Sequence, residues 1–441
     1  MELADVCIVG GGYTGLWTAI QLKQAQPNLD IVIIEKDLCG SGASGRNGGC
    51  MLTLATKFFT LQRLFGTDEA VRIVRGSEDA VLAIRDFCQQ HQIQAQVRID
   101  GALYTATNAA QRDGLSPVLA ALEANQVNSW SPMSAQQTVA RAGSARHLQG
   151  WFSPLGGSLH PGLLVRGLAR VARSMGVRIY EHSAMRKLLP GNTALVQTAQ
   201  GEVQAKKVVL AINAWMASQF PAFARSIAIV SSDMIITERC PEQLAEIGLQ
   251  HGTAVCDGRI FVYYYRSTSD GRMMLGKGGN TFAYGAKMLA SFDQVSRYRP
   301  QLQQALTEFF PSLAGVALAA SWNGASDRSV TGLPFFGRWQ GEPNIFYGFG
   351  YSGNGVTTCY LGGQILASLV RGESQGWATC GLVSGPLGQF PPEPIRWLGS
   401  MLVRNAIRRK EKAEDHAQTP TWLDQQLAKL AQAAGKADKA S

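Results

Sequence analysis

A chain of 441 residues is too long for one simple core and points to two intertwined domains with an appendage. With 46% hydrophobic and 17% charged residues, no low-complexity block and no solenoid period, it is neither disordered nor a repeat array. Its eight cysteines form no Cys-x-x-Cys pair and read as reduced thiols of a cytoplasmic protein, and no apolar run approaches the ~20 residues needed to cross a bilayer.

The acidic start, unlike an ordinary signal peptide, enters an apolar strand at Val6 directly. That strand runs into a glycine loop, residues 10–15, followed by a helix over 16–24. Gly10 allows a tight turn, Gly12 lets amides approach a pyrophosphate, and Gly15 lets the helix pack close to the sheet. Tyr13 and Thr14 open that helix, whose N-terminus favours a phosphate. A second strand, 31–34, ends on Glu35, twenty residues after Gly15 and placed for ribose hydroxyls, with Lys36 beside it. A second glycine loop spans 40–49 and carries Ser44, Arg46, Asn47, Gly48 and Gly49. A nicotinamide enzyme has no use for this loop, whereas a flavin must lie against backbone along its length. Further helices are predicted over 58–91, 109–124 and 161–174, and β-rich runs at 226–238, 254–266 and 272–279. His160 reads as a helix-entry residue. A third glycine loop ends in Gly350, Tyr351, Ser352, Gly353, Asn354 and Gly355, with a helix over 356–369 behind it. Its amides and dipole suit the pyrimidine end of a flavin.

In order and spacing, these loops, the 156–161 turn, the 208–215 strand, and the stretch from Trp322 to Gly337 resemble the D-amino-acid oxidase superfamily of flavoproteins. The resemblance covers roughly residues 4–412 and is nearest to the branch with γ-glutamylputrescine and L-pipecolate oxidases. It implies an α/β fold in which a Rossmann-like FAD-binding domain (1–57, 151–225, 315–390) is interleaved with a β-rich α+β substrate domain (58–150, 226–314). A basic helical tail (391–441) follows. It also implies bound FAD taking a hydride at N5 from the carbon beside an amine nitrogen. Sarcosine oxidases of the superfamily attach FAD through a cysteine near the Trp-x-Gly motif; here Gly324 fills that place, so non-covalent FAD is expected. Glycine-oxidase-like members hold the substrate carboxylate with an arginine four residues after the tryptophan. That position is Ser326 here, leaving Arg46, Arg266 or Arg328 for the task.

The substrate pocket is expected to include Met51, Tyr263, Tyr265, Arg266, Trp322 and Ser326, with Tyr263 and Tyr265 on one strand face and Tyr264 on the other. Aromatic core is the competing reading for each tyrosine. No catalytic base and no metal set stand out. The expected substrate is a cyclic secondary amino acid such as L-pipecolate; a γ-glutamylputrescine-type amine is the alternative, and a non-catalytic flavin-binding protein or a nicotinamide enzyme are readings of other classes. Met274 falls where sarcosine-oxidase relatives carry an oxygen-assisting lysine, so the electron acceptor is oxygen or a quinone.

Net charge is +9, and six basic residues lie between 396 and 412. Nucleic acid is a poor partner, since no recognition module is present. Behind a proline elbow at 391–394, Ile395, Trp397, Leu398, Met401 and Leu402 lead into Arg404, Arg408 and Arg409. An apolar plug with a basic collar suits the inner face of an anionic membrane. The competing reading packs this helix on its own domain.

Overall fold

The computed structural model describes residues 1–339 and 341–438, so the last three residues of the tail lie outside it. Two large sheets organise the chain. In the first, strands run in the order Phe335–Trp339, Glu342–Phe349, Glu202–Leu210, Glu2–Val9, Ile31–Ile34, Arg178–Tyr180. Along this order all neighbours are parallel except the Phe335–Trp339 edge, while Ala194–Gln197 pairs antiparallel with both Glu202–Leu210 and Lys187–Leu189 off the path. Burial on both faces explains the unbroken apolar strands. Val6, Ile8, Ile31 and Ile33 pack toward helices Tyr13–Ala25 and Gly355–Arg371, while Cys7, Val9, Val32 and Ile34 enter a separate core on the other face.

The second sheet runs Leu318–Ser329, Ile227–Thr237, Met273–Phe282, Tyr263–Ser267, Ala254–Asp257, Ala102–Ala106, Gln149–Ser153, Ser131–Met133. One face packs Ile235, Val255, Tyr265, Met273 and Leu275 against helix Arg299–Phe309. The opposite face looks toward the first sheet, and the site lies between them. Strand Leu318–Ser329 pairs with Ile227–Thr237, so the chain leaves the second sheet after Ser329 rather than at residue 315. The helix expected over 58–91 is two, Phe58–Phe65 and Thr67–Gln90, broken at Gly66. His160 caps helix Pro161–Ser174, its Nδ1 accepting from Leu163 N at 3.2 Å.

The basic tail packs back on the molecule. Helix Ile395–Asp415 crosses the end of strand Met273–Phe282. Arg404 and Arg408 donate to Asn280 O and Oδ1, each at 3.0 Å, and Trp397 Nε1 reaches Phe282 O. Arg409 pairs with Asp424 of helix Trp422–Lys429. The collar expected to face headgroups is thus largely consumed by the protein's own acceptors, a correction to the plug-and-collar reading. Met401 is half-buried; only Ile395, Leu398 and Leu402 of the apolar lead stand exposed. No helix among the described residues is long and apolar enough to cross a membrane.

Candidate active site

The three glycine loops meet along one elongated cavity of about 1790 Å³, including its open mouth. At one end Glu35 accepts from Gly11 N at 2.7 Å and Asp37 N at 3.0 Å, and burial raises its carboxyl pKa against those bonds. Lys36 beside it lies 5.6 Å from the centroid of the Trp215 ring. Gly10 takes φ +112°, and a Cβ there would fall 2.5 Å from Ala211 O. Gly12 lines the cavity, where Tyr13 N donates to Ser44 Oγ at 2.9 Å. Thr14 joins the first loop to the third through Tyr351 Oη at 2.8 Å. Gly15 lies behind the lining, where a Cβ would fall 2.0 Å from Gly10 O.

Asn47 shapes the second loop: its amide donates to Ala43 O and Ser44 O and accepts from Gly49 N at 2.8 Å. Arg46 lines the cavity but is held by Ser41 O, Phe292 O and Asp293. Gly48 lets the Tyr264 ring approach; a Cβ would lie 2.7 Å from it. Gly49, at φ +68°, is closed off by Leu159 O and sits outside the cavity. The third loop hangs on Asp327, whose buried carboxylate accepts from Gly350 N and Tyr351 N and is pushed up to about 6 by burial. Tyr351, Gly353 and Gly355 line the cavity; Gly350 and Asn354 support from behind.

Several pocket expectations need correction. Alternation along Tyr263–Ser267 was right, but the face was not. Tyr265 points into the core, donating to Ala142 O at 2.7 Å and meeting His147 Nε2 at 2.7 Å, and Tyr263 packs beside Phe309 and Lys277. Tyr264 is the cavity residue; its hydroxyl lies 2.7 Å from Ser232 Oγ. Met51 is fully buried opposite Gly157, outside the cavity. Trp322 donates from Nε1 to Arg46 O at 2.8 Å and so braces the second loop. Arg266 is not a substrate ligand: its guanidinium bonds Gly48 O, Ser267 O and Leu159 O. Burial brings its pKa down to about 10. Ser326 does line the cavity, with a buried Oγ that has no hydrogen-bond partner among the described residues.

Sequence reasoning missed Ser232, Cys50 and Cys256, and above all Lys436, which reaches the cavity from the tail. Cys256 reaches the cavity as the cross-strand partner of Tyr264, a register set by strand pairing, and no local signal marks Lys436.

A cradle of glycine backbone, an acid at the second strand's end and a helix N-terminus at Gly355 fit a long dinucleotide. The model of FAD-dependent oxidoreductases (DAO) matches residues 5–369. The chain belongs to this family. It is therefore an enzyme, and FAD is its cofactor. It is 33% identical to the gamma-glutamylputrescine oxidoreductase of Escherichia coli over 84% of each chain. It is 23% identical to the glycine oxidase of Geobacillus kaustophilus over 83% of this chain and 93% of that one. The crystal structure of that glycine oxidase superposes with a TM-score of 0.71 over 85% of this chain and 96% of the other, at 22% identity. The L-proline dehydrogenase of P. horikoshii gives 0.69 at 18% identity, over 85% and 95%. Both show the fold.

Proposed function

We propose that this enzyme oxidises the C–N bond of a primary amine borne on a γ-glutamylputrescine-type conjugate. The carrying observation is the 33% identity with the E. coli relative across 84% of both chains. This replaces L-pipecolate as the favoured substrate. Non-covalent FAD, held by the three loops, would supply the electron sink, and oxygen or a quinone would take the electrons on.

The chain's own residues orient and desolvate the amine. Burial raises the Tyr264 phenol above its usual range, so it stays protonated at neutral pH and shares a hydroxyl pair with Ser232. The phenol donates to Met234 Sδ, so Ser232 donates within the pair, and the two oxygens face a neutral amine as acceptors for its N–H groups. Water exclusion by Tyr264 and Val262 disfavours the ammonium form, which cannot give up a hydride. The exposed row Ile395, Leu398 and Leu402 supports peripheral contact with a membrane surface through apolar side chains.

The test is anaerobic reduction of the bound flavin by γ-glutamylputrescine, putrescine and L-pipecolate, followed by absorbance. Rapid bleaching by the conjugate is expected. Bleaching by pipecolate with none by the conjugate would overturn the reading.

A further inference from the structure

We propose that the C-terminal segment is a clasp that delivers Lys436 into the cavity as the cation recognising a carboxylate on the substrate. The inference rests on the amine-oxidising reading and narrows it: the substrate is an amine that also carries a carboxylate, not a bare diamine.

The clasp is fastened on both sides of the lysine. Thr56 Oγ1 donates to Lys436 O at 2.7 Å, and Asp438 N donates to Thr56 O at 2.8 Å. Asp438 accepts from Thr60 N at 2.7 Å and Thr60 Oγ1 at 2.9 Å, and stands 3.6 Å from the buried Lys57 Nζ. Lys57 in turn donates to Ala433 O at 3.1 Å.

Lys436 Nζ donates to Gly353 O and Asn354 Oδ1, each at 2.6 Å. An ammonium has three donors. Two therefore fix it to the third glycine loop, and the last remains for the cavity, which Lys436 lines with Cys50 and Cys256. The arginines that the sequence offered for a carboxylate are committed elsewhere. Arg46 is paired with Asp293, Arg266 is spread over three carbonyls, and Arg328 donates to Ser352 O at 2.6 Å. Arg328 nevertheless adds positive field at the same point: a Cβ on Gly353 would lie 3.3 Å from its Nη2 and 3.4 Å from Lys436 Nζ. Burial, with Arg328 and Lys57 nearby, brings Lys436 down to about 8, the Cys50 and Cys256 thiols opposing. The charge that holds a carboxylate is thus present below about pH 8 and fades above it.

The experiment titrates the flavin absorbance of the holoenzyme with pentanoate and with pentanamide, its neutral isostere, in wild type, Lys436→Met and Lys436→Arg. A charge-assisted hydrogen bond predicts that Lys436→Met weakens pentanoate about tenfold to a hundredfold and leaves pentanamide within about twofold. Lys436→Arg should stay within about threefold of wild type, and wild-type affinity for pentanoate should fall as pH rises past about 8. Equal pentanoate affinity in wild type and Lys436→Met overturns the proposal, as does an equal loss of both probes, which marks a structural role. Unchanged pentanoate binding with altered sulfite affinity of the substrate-free flavin assigns the charge to the cofactor instead, and also overturns it. If the conjugate fails to reduce the flavin while pentanoate still follows Lys436, the proposed substrate falls and the carboxylate site stands.

Discussion

Replacing Arg266 by lysine separates a loop clamp from a substrate ligand, because the charge survives and the fork does not. The guanidinium reaches Gly48 O at 2.6 Å, Leu159 O at 2.9 Å and Ser267 O at 3.2 Å, from a residue that is 5% exposed. A lysine ammonium, a single nitrogen without the planar fork, keeps about one of these contacts. Two bonds to a charged donor at roughly 1.5 kcal/mol each give a loss of about 3 kcal/mol. At roughly 2.1 cal/mol/K per residue, a chain of 441 residues has an unfolding entropy near 0.9 kcal/mol/K, so the melting temperature should drop by about 3 °C. Gly48 belongs to the second glycine loop, so FAD should also dissociate more readily, read as flavin fluorescence released on dilution. Pentanoate affinity of the FAD-saturated protein should hardly change. An unaltered melting temperature and FAD affinity, with pentanoate binding weakened tenfold, would refute the clamp.

Three further outcomes follow from the same geometry. Tyr264→Phe should lower kcat/KM about threefold to tenfold with little change in melting temperature. Tyr265→Phe should instead cost about 1–2 kcal/mol of stability, since it strands Ala142 O and His147 Nε2, and should leave kcat/KM alone; chemical denaturation and steady-state kinetics on both variants check the pair. His147 is buried and held down to about 3 from 6.5, so its contribution is intact above pH 6.5 and is lost as pH falls below that value, by about 1.4 kcal/mol per unit. Between pH 6.5 and 5 this amounts to about 2 kcal/mol, and denaturation curves of His147→Phe should show a correspondingly flatter acid limb. Leu398→Glu with Leu402→Glu should abolish co-sedimentation with phosphatidylserine vesicles at low salt, and failure of the unaltered protein to sediment would sink the membrane contact.

Local spacing alone determined the cofactor half of this protein. Loops 10–15 and 40–49, the acid at Glu35 and the late loop before helix Gly355–Arg371 are written in short runs, because glycine is favoured where backbone turns with positive φ or must approach a ligand closely. Apolar runs at 6–9 and 31–34 likewise announce parallel strands buried on both faces. The substrate side was decided by tertiary structure. A period of two divides Tyr263, Tyr264 and Tyr265 between two faces, but which face meets helix Arg299–Phe309 and which meets the cavity depends on elements far along the chain. Arginine identity likewise says nothing of destination: Arg266 ends on carbonyls of residues 48 and 159, and Arg404 and Arg408 end on Asn280 rather than at a surface. Lys436 was invisible for the same reason. Its place is set by contacts such as Asp438 with Thr60, 378 residues apart, and no local pattern encodes a bond whose partners meet only after both sheets have assembled.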